Sequence, residues 1–221
     1  MTLKIKKTKA AILFKQKTPL VLDYISLPNE LFTGQVLVKI KYSGICGSQL
    51  GEIEGVKGKD KYLPHLLGHE ATGEVIDYHH SVKKIKKGDA VLLHWMPGSG
   101  LSSSGPIYKW KNRKVNAGTI TTFNSYSIVS ENKITKIPKN LKDEKETLLL
   151  GCTASTAIGA VEKLAKLKKG QSIAVAGCGA IGLPLIKAAK ILGAKNIVAI
   201  DLSAAKLKLA KKFGADFIIN A

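Results

Sequence analysis

The sequence predicts two successive architectures: a β-rich, barrel-like domain, then a parallel α/β sheet. Three observations carry this reading. Up to Pro138 the chain is a series of short apolar or alternating runs divided by glycine and proline turns, the pattern of small closed β folds. After Leu141 strand and helix patterns alternate, which marks βαβ units. A length of 221 residues suffices for one large domain or two small ones. The reading divides the chain into residues 1–148 and 149–221.

Lys4 to Phe14 and Pro19 to Leu27 read as strands joined by a turn at Gln16 to Pro19. In Gln35 to Tyr42, Val36, Val38, Ile40 and Tyr42 share one face while Lys39 and Lys41 take the other. That alternation predicts a half-buried strand. It runs into the turn Ser43-Gly44-Ile45-Cys46-Gly47, and Gly51 to Lys61 reads as a polar, glycine-rich loop. Ala71 to Tyr78 and Ala90 to Leu93 are strands, with a basic turn at Val82 to Asp89. Pro97 to Ala117 has three glycines, three consecutive serines and no period, and reads as a long excursion loop. Strand character resumes at Thr119 to Val129 and Lys133 to Ile137.

Beyond Leu141, Asp143 to Leu150 and Ser155 to Leu167 read as helices. Gln171 to Ala176 is a buried strand and Ile181 to Leu192 an apolar helix ended by Gly193. Asn196 to Ile200, Ser203 to Phe213 and Asp216 to Ile219 complete the pattern as strand, helix and strand.

Composition narrows the function classes. Net charge is +19, from 35 basic and 16 acidic residues, yet Arg113 is the sole arginine. Nucleic-acid sites draw on arginine for bidentate contacts and stacking, and these lysines are scattered, so composition disfavours a nucleic-acid partner. No run approaches the ~18 apolar residues of a membrane span. The N-terminus has no apolar signal core, and three widely spaced cysteines form no disulfide framework. The expectation is a cytoplasmic protein without a membrane partner.

The clearest local motif is Ala176-Gly177-Cys178-Gly179-Ala180-Ile181-Gly182. It follows an expected strand and opens an expected helix, as a dinucleotide-binding turn requires. Gly177 permits the tight turn, Gly179 lets backbone approach a pyrophosphate, and Gly182 lets helix and strand pack closely. Asp201 stands 19 positions after Gly182, at the end of the next strand. A carboxylate there accepts from ribose hydroxyls and repels a 2′-phosphate, which favours NAD over NADP.

His69 and Glu70 stand side by side in the apolar stretch Leu63 to Val75. Buried polar groups need partners, and a metal is one. Catalytic zinc commonly takes three protein ligands, and Cys₂His is a known set, which makes Cys46, His69 and Cys152 candidates. No local spacing ties the three together. A lone cysteine is also an ordinary small hydrophobe, and a lone histidine an ordinary core residue.

Several segments resemble the zinc-containing alcohol dehydrogenases of the medium-chain dehydrogenase/reductase superfamily. They are Gly44 to Ser48, Leu67 to Gly73, Lys87 to Val91, Gly151 to Thr156, and the glycine turn through Asp201. They fall in family order across nearly the whole chain. The resemblance implies a GroES-like β-barrel catalytic domain followed by a Rossmann domain. It implies Cys46, His69 and Cys152 as catalytic zinc ligands and Glu70 as a nearby carboxylate that approaches the metal during ligand exchange. Ser48 becomes the hydroxyl that takes the alcohol proton. Gly177, Gly179, Ala180, Ile181 and Gly182 form the dinucleotide turn, and Thr156 and Ile181 pack against nicotinamide. Lys206 lies near the adenosine ribose beside Asp201, and Trp95 walls the substrate pocket. The implied reaction is hydride transfer between an alcohol, or a thiol-adduct alcohol, and NAD, giving an aldehyde or ketone. A full-length form is expected to be a homo-oligomer. A polyol dehydrogenase on this scaffold is the alternative enzyme, which Cys152 disfavours because that subfamily uses a carboxylate as third ligand. A basic dinucleotide- or polyanion-binding module without catalysis is the non-enzymatic alternative.

Four departures qualify the resemblance. Residues 97–117 lack the four cysteines of a structural zinc, so one catalytic zinc and no structural zinc is expected. Gly51 stands where relatives place a proton-relaying histidine, so Ser48 would pass its proton to water or to His65. Gln49 replaces an acid that supports a zinc ligand. Three strands follow Leu141, where a complete dinucleotide domain has six, so the expectation is a partial Rossmann sheet in a fragment that turns over poorly.

Overall fold

The computed structural model describes residues 3–141 and 143–221. The chain divides into two compact units, Met1–Gly151 and Cys152–Ala221. The sequence reading placed this division after residue 148.

The first unit is the expected barrel-like fold. Its strands are β1 (Lys7–Leu13), β2 (Val21–Ser26), β3 (Gln35–Ser43), β4 (His65–Leu66), β5 (Ala71–Tyr78), β6 (Ala90–Leu93), β7 (Tyr108–Trp110), β8 (Arg113–Val115), β9 (Tyr126–Ser130) and β10 (Ile134–Lys136). They form two five-stranded sheets, ordered β4-β1-β2-β7-β8 and β10-β6-β5-β3-β9. All pairings within them are antiparallel. An isolated bridge between Ala10 and Asn124 links the two sheets.

β3 corrects the half-buried expectation. Gln35, Val36, Leu37 and Val38 are all buried, whereas Tyr42 is exposed. Leu37 packs with Ile12, Tyr108, Val115 and Ile128 in one core. Val36 and Val38 face the other way, into a core with Val75, Val91, Leu93 and Ile134. Register shifts against β5 at Leu37/Val38 and Ile40/Tyr42 bend the strand and turn its end to solvent. Each fully buried aliphatic side chain contributes roughly 1.5–3 kcal/mol, so a one-residue slip would forfeit both cores.

Two further readings change. The segment read as a loop at Gly51 to Lys61 begins inside a helix, α1 (Gly47–Glu54). The Gln49 side chain accepts from the Cys46 N–H at 3.0 Å at its start, and Gly55 in the left-handed region ends it. The excursion loop contains the hairpin β7–β8, which closes the first sheet. α2 (Glu144–Thr147) is short, capped by the Asp143 carboxylate, and passes into a 3₁₀ turn over Leu148–Gly151.

The second unit opens with α3 (Thr153–Gly159), which continues through a π turn over Ala160–Leu164. β11 (Ile173–Ala176), α4 (Gly182–Ile191), β12 (Ile197–Asp201), α5 (Ala204–Phe213) and β13 (Phe217–Asn220) then alternate. The three strands form a parallel sheet in sequence order, with Ile173 opposite Ile197 and Ile200 opposite Ile219. Val175, Cys178, Ile186, Ile197, Leu207 and Ala210 build the core on the helix side. This is the expected partial Rossmann sheet. Among the described residues, no helix is long and apolar enough to cross a membrane.

Candidate functional site

In the first unit, Cys46 ends the β3 turn and Ser48 lies in the first turn of α1. His69 and Glu70 occupy the connection from β4 to β5. Gly68 enables that connection. Its φ is +91°, and a Cβ there would lie 2.2 Å from Thr122 Oγ1, so any larger residue is excluded twice, by conformation and by space. The Leu67 carbonyl accepts from Thr122 and Phe123 backbone N–H groups at 3.0 and 3.1 Å. At the other edge the Glu70 carbonyl accepts from the Gly44 N–H at 3.0 Å, so the Gly68–Glu70 segment is pinned at both edges.

This places a Cys46 Sγ and a His69 ring nitrogen within 4.8 Å of each other. His69 Nδ1 contacts Gln49 Nε2 at 2.6 Å. His69 Nε2 is buried and has no hydrogen-bond partner among the described residues. A buried ring nitrogen without a partner is costly, and a metal bond is one way to satisfy it. Burial also holds the His69 pKa below the usual histidine value, which favours the uncharged ring that metal ligation requires. A thiolate and an imidazole are donors that suit zinc.

Glu70 is 2% exposed and sits beneath Gly44. A Cβ on Gly44 would fall 2.5 Å from Glu70 Oε1. Gly151 presses on the same residue, since its Cβ would lie 3.1 Å from Glu70 Cβ and 2.5 Å from the Leu93 carbonyl. Cys152 follows Gly151 by one peptide link, ~3.8 Å between Cα atoms. It is buried, and its carbonyl accepts from Ser155 Oγ and Thr156 N–H, both at 2.9 Å.

A cavity of about 720 Å³ opens within the first unit, lined by Gln49, Gly51, His65 and His69 together with Lys57, Lys59 and Lys61. His65 Nε2 pairs with Asp60 Oδ2 at 2.7 Å. That pair was not legible in the sequence. Trp95 is 44% exposed and does not line this cavity. Ser48 is exposed, and its Oγ accepts from Gln49 Nε2 at 3.2 Å.

In the second unit the glycine turn links β11 to α4. Gly177 has φ +92°. A Cβ on Gly182 would stand 1.8 Å from the Gly177 carbonyl oxygen, whereas one on Gly179 would meet nothing within 4 Å. Gly182 thus serves the protein's own packing, and Gly179 leaves open space for a ligand. Ala180 and Ile181 are exposed beside it. Asp201 accepts from the Cys178 N–H at 2.7 Å and the Ser203 N–H at 2.8 Å. Those two bonds, the Cys178 bond first, hold its pKa below the usual carboxylate value. Each oxygen keeps a lone pair for a hydroxyl. Lys206, in the first turn of α5, adds a smaller electrostatic pull on Asp201. Thr156 is exposed on α3. Burial, then the Asp201 charge, pushes the Cys178 thiol up, so this cysteine is an inert core residue.

Comparison with known proteins finds similarity along both units. Residues 33–139 match the alcohol dehydrogenase GroES-like domain, and residues 180–221 match the zinc-binding dehydrogenase domain. S-(hydroxymethyl)glutathione dehydrogenases of Escherichia coli O1:K1 and of Shigella sonnei strain Ss046 are each 31% identical, over 97% of this chain. The chain spans 64% of the length of these relatives. Benzyl alcohol dehydrogenase from Acinetobacter calcoaceticus superposes with a TM-score of 0.82 at 26% identity, over 97% of this chain and 64% of that one. An alcohol dehydrogenase zinc-binding domain protein from Burkholderia ambifaria gives 0.81 at 26% identity, with the same coverage.

Proposed function

We propose, on the premise that this chain belongs to the zinc-containing alcohol dehydrogenase family of the medium-chain dehydrogenase/reductase superfamily, that its residues serve hydride transfer between an alcohol and NAD. The observation that carries the reading is the buried, partnerless His69 Nε2 beside the Cys46 thiol.

Cys46, His69 and Cys152 would hold one zinc. Zinc supplies Lewis acidity, which lowers the pKa of a bound alcohol or polarises a carbonyl. Ser48 receives the alcohol proton at Oγ, which Gln49 orients at 3.2 Å. With Gly51 offering no base, the proton would leave to water or to His65, which lines the cavity together with Gly51 and His69. Glu70, held beneath Gly44, stands close enough to the ligand segment to assist ligand exchange.

The glycine turn would seat a pyrophosphate at Gly179, with Gly177, Ala180, Ile181 and Gly182 shaping the turn, and NAD supplies the hydride acceptor. Asp201 is held ionised by two backbone N–H groups, which supports ribose binding and disfavours a 2′-phosphate. Thr156 and Ile181 would face the nicotinamide, and Lys206 the adenosine ribose. A cavity of about 720 Å³ exceeds the needs of a small alcohol. Lys57, Lys59 and Lys61 at its lining, which have no ion-pair partner among the described residues, suit a substrate with a carboxylate-bearing tail, such as a thiol-adduct alcohol.

The test is zinc content. Wild type should hold one zinc, and Cys46→Ala and Cys152→Ala should lose it. Equal metal in all three proteins would reject the ligand set.

A further inference from the structure

Gln49 is a side chain with two jobs that metal binding sets against each other. It is 3% exposed, so water does not relieve it. Its Oε1 accepts from the Cys46 backbone N–H at 3.0 Å. A backbone N–H only donates, so the amide oxygen must face Cys46. The amide NH₂ then faces Ser48 Oγ at 3.2 Å and His69 Nδ1 at 2.6 Å. An NH₂ group only donates, so His69 Nδ1 must be the acceptor. In a neutral ring the proton then sits on Nε2, the nitrogen that is buried without a partner.

That tautomer cannot bind a metal through Nε2. Ligation there needs the proton on Nδ1, where it would meet the Gln49 NH₂ donor to donor. Turning the amide over would relieve His69 but would present NH₂ to the Cys46 N–H. Either way one hydrogen bond of this cluster is lost on metal binding. A carboxylate at position 49 has no such conflict, because its two oxygens accept from both donors.

We propose that Gln49 is a positioning residue that holds His69 in its non-ligating tautomer and so raises the threshold for metal loading. The proposal rests on the zinc reading above. Gln49→Glu, nearly isosteric, should remove the conflict and tighten zinc binding roughly tenfold or more, within the range known for groups that orient metal ligands.

The experiment has two arms on the full chain. Histidine ¹⁵N chemical shifts of the metal-free wild type should show His69 protonated at Nε2, and those of Gln49→Glu at Nδ1. Chelator competition with zinc alone should rank Gln49→Glu above wild type. Zinc binding with metal-free wild-type His69 already protonated at Nδ1 overturns this inference and leaves the zinc reading standing. Equal zinc affinity in both proteins overturns it likewise. Absence of zinc binding to either protein overturns the zinc reading and this inference together.

Discussion

Glu131 Oε2 accepts a hydrogen bond from the Leu101 backbone N–H at 2.8 Å. The other carboxylate oxygen accepts from the Lys83 and Lys84 N–H groups, both at 2.9 Å. One buried acid thus ties the segment after Pro97 to the turn before β6. Gly100 is required beside it, because a Cβ there would lie 2.9 Å from Glu131 Cγ. In relatives with a structural zinc, four cysteines anchor this loop. Here a carboxylate and three backbone donors anchor it.

Glu131→Gln leaves one of the three donors facing an NH₂ group and should cost about 1–3 kcal/mol in urea unfolding. Burial alone would raise the Glu131 pKa, but the Leu101, Lys84 and Lys83 N–H bonds outweigh it and hold the value below 4.5. The native state therefore binds this proton less readily than the unfolded chain. Its contribution is fully present above pH 4.5 and is lost as pH falls through the folded-state value. Acid titration of stability should be flatter in Glu131→Gln than in wild type. Parallel curves would show the carboxylate contributes nothing.

Metal stoichiometry separates this anchor from the proposed zinc site. Elemental analysis should give one zinc per chain, and Glu131→Ala should leave that number unchanged while loosening residues 97–104 to proteolysis. Two zinc atoms per chain would place a second metal where the structure has a carboxylate.

Gly44→Ala tests the space reserved for Glu70. The added methyl would meet Glu70 Oε1 at 2.5 Å, and overpacking of this kind costs about 1–3 kcal/mol. Because Glu70 adjoins His69, zinc affinity should fall as well. Unchanged affinity and melting temperature would show that the carboxylate moves aside freely.

Asp201→Asn removes the charge proposed to face a ribose. NADP affinity, measured calorimetrically, should rise roughly tenfold against NAD, about 1.4 kcal/mol. The variant keeps one acceptor for the Cys178 and Ser203 N–H groups, so a stability loss of about 1 kcal/mol should accompany it. An unaltered NAD to NADP ratio would remove Asp201 from the cofactor site.

Alkaline pH tests a different buried group. Tyr108 is wholly buried, and its hydroxyl accepts from the Ile128 N–H at 2.9 Å. Burial pushes its pKa from 10.0 to about 12. Between these values the unfolded chain loses a proton that the native chain keeps. Stability should therefore fall as pH rises from 10 to about 12. Tyr108→Phe should start less stable, because Ile128 N–H loses its acceptor, and should show a shallower alkaline decline.

The second unit was largely legible, since strand and helix patterns alternate there and Gly177, Gly193 and Gly214 stand just after β11, α4 and α5. The first was legible where strands are long, as at Ala71 to Tyr78. It was not legible where an element carries no clear propensity or period of its own. α1 contains Gly47 and Gly51, poor helix formers, and its start depends on Gln49 capping Cys46. β7 and β8 have three residues each, too few to show a period. β3 hid its second buried face because Leu37 lies among apolar residues of both parities. At the site, Cys46, His69 and Cys152 came forward by residue type and by resemblance. The donor conflict at Gln49 and the anchoring by Glu131 depend on hydrogen-bond partners tens of residues away, which no local pattern encodes.

The double burial of β3 sets how the first unit opens. Leu37 belongs to one core, and Val36 and Val38 to the other, so neither sheet can detach without breaking this shared wall. Amide hydrogens on both sides of it, in β5 and in β9, should exchange through one common opening with one free energy. Events at the Gly68–Glu70 segment, which leads directly into β5, are then felt by the whole barrel-like unit and not by a loop alone.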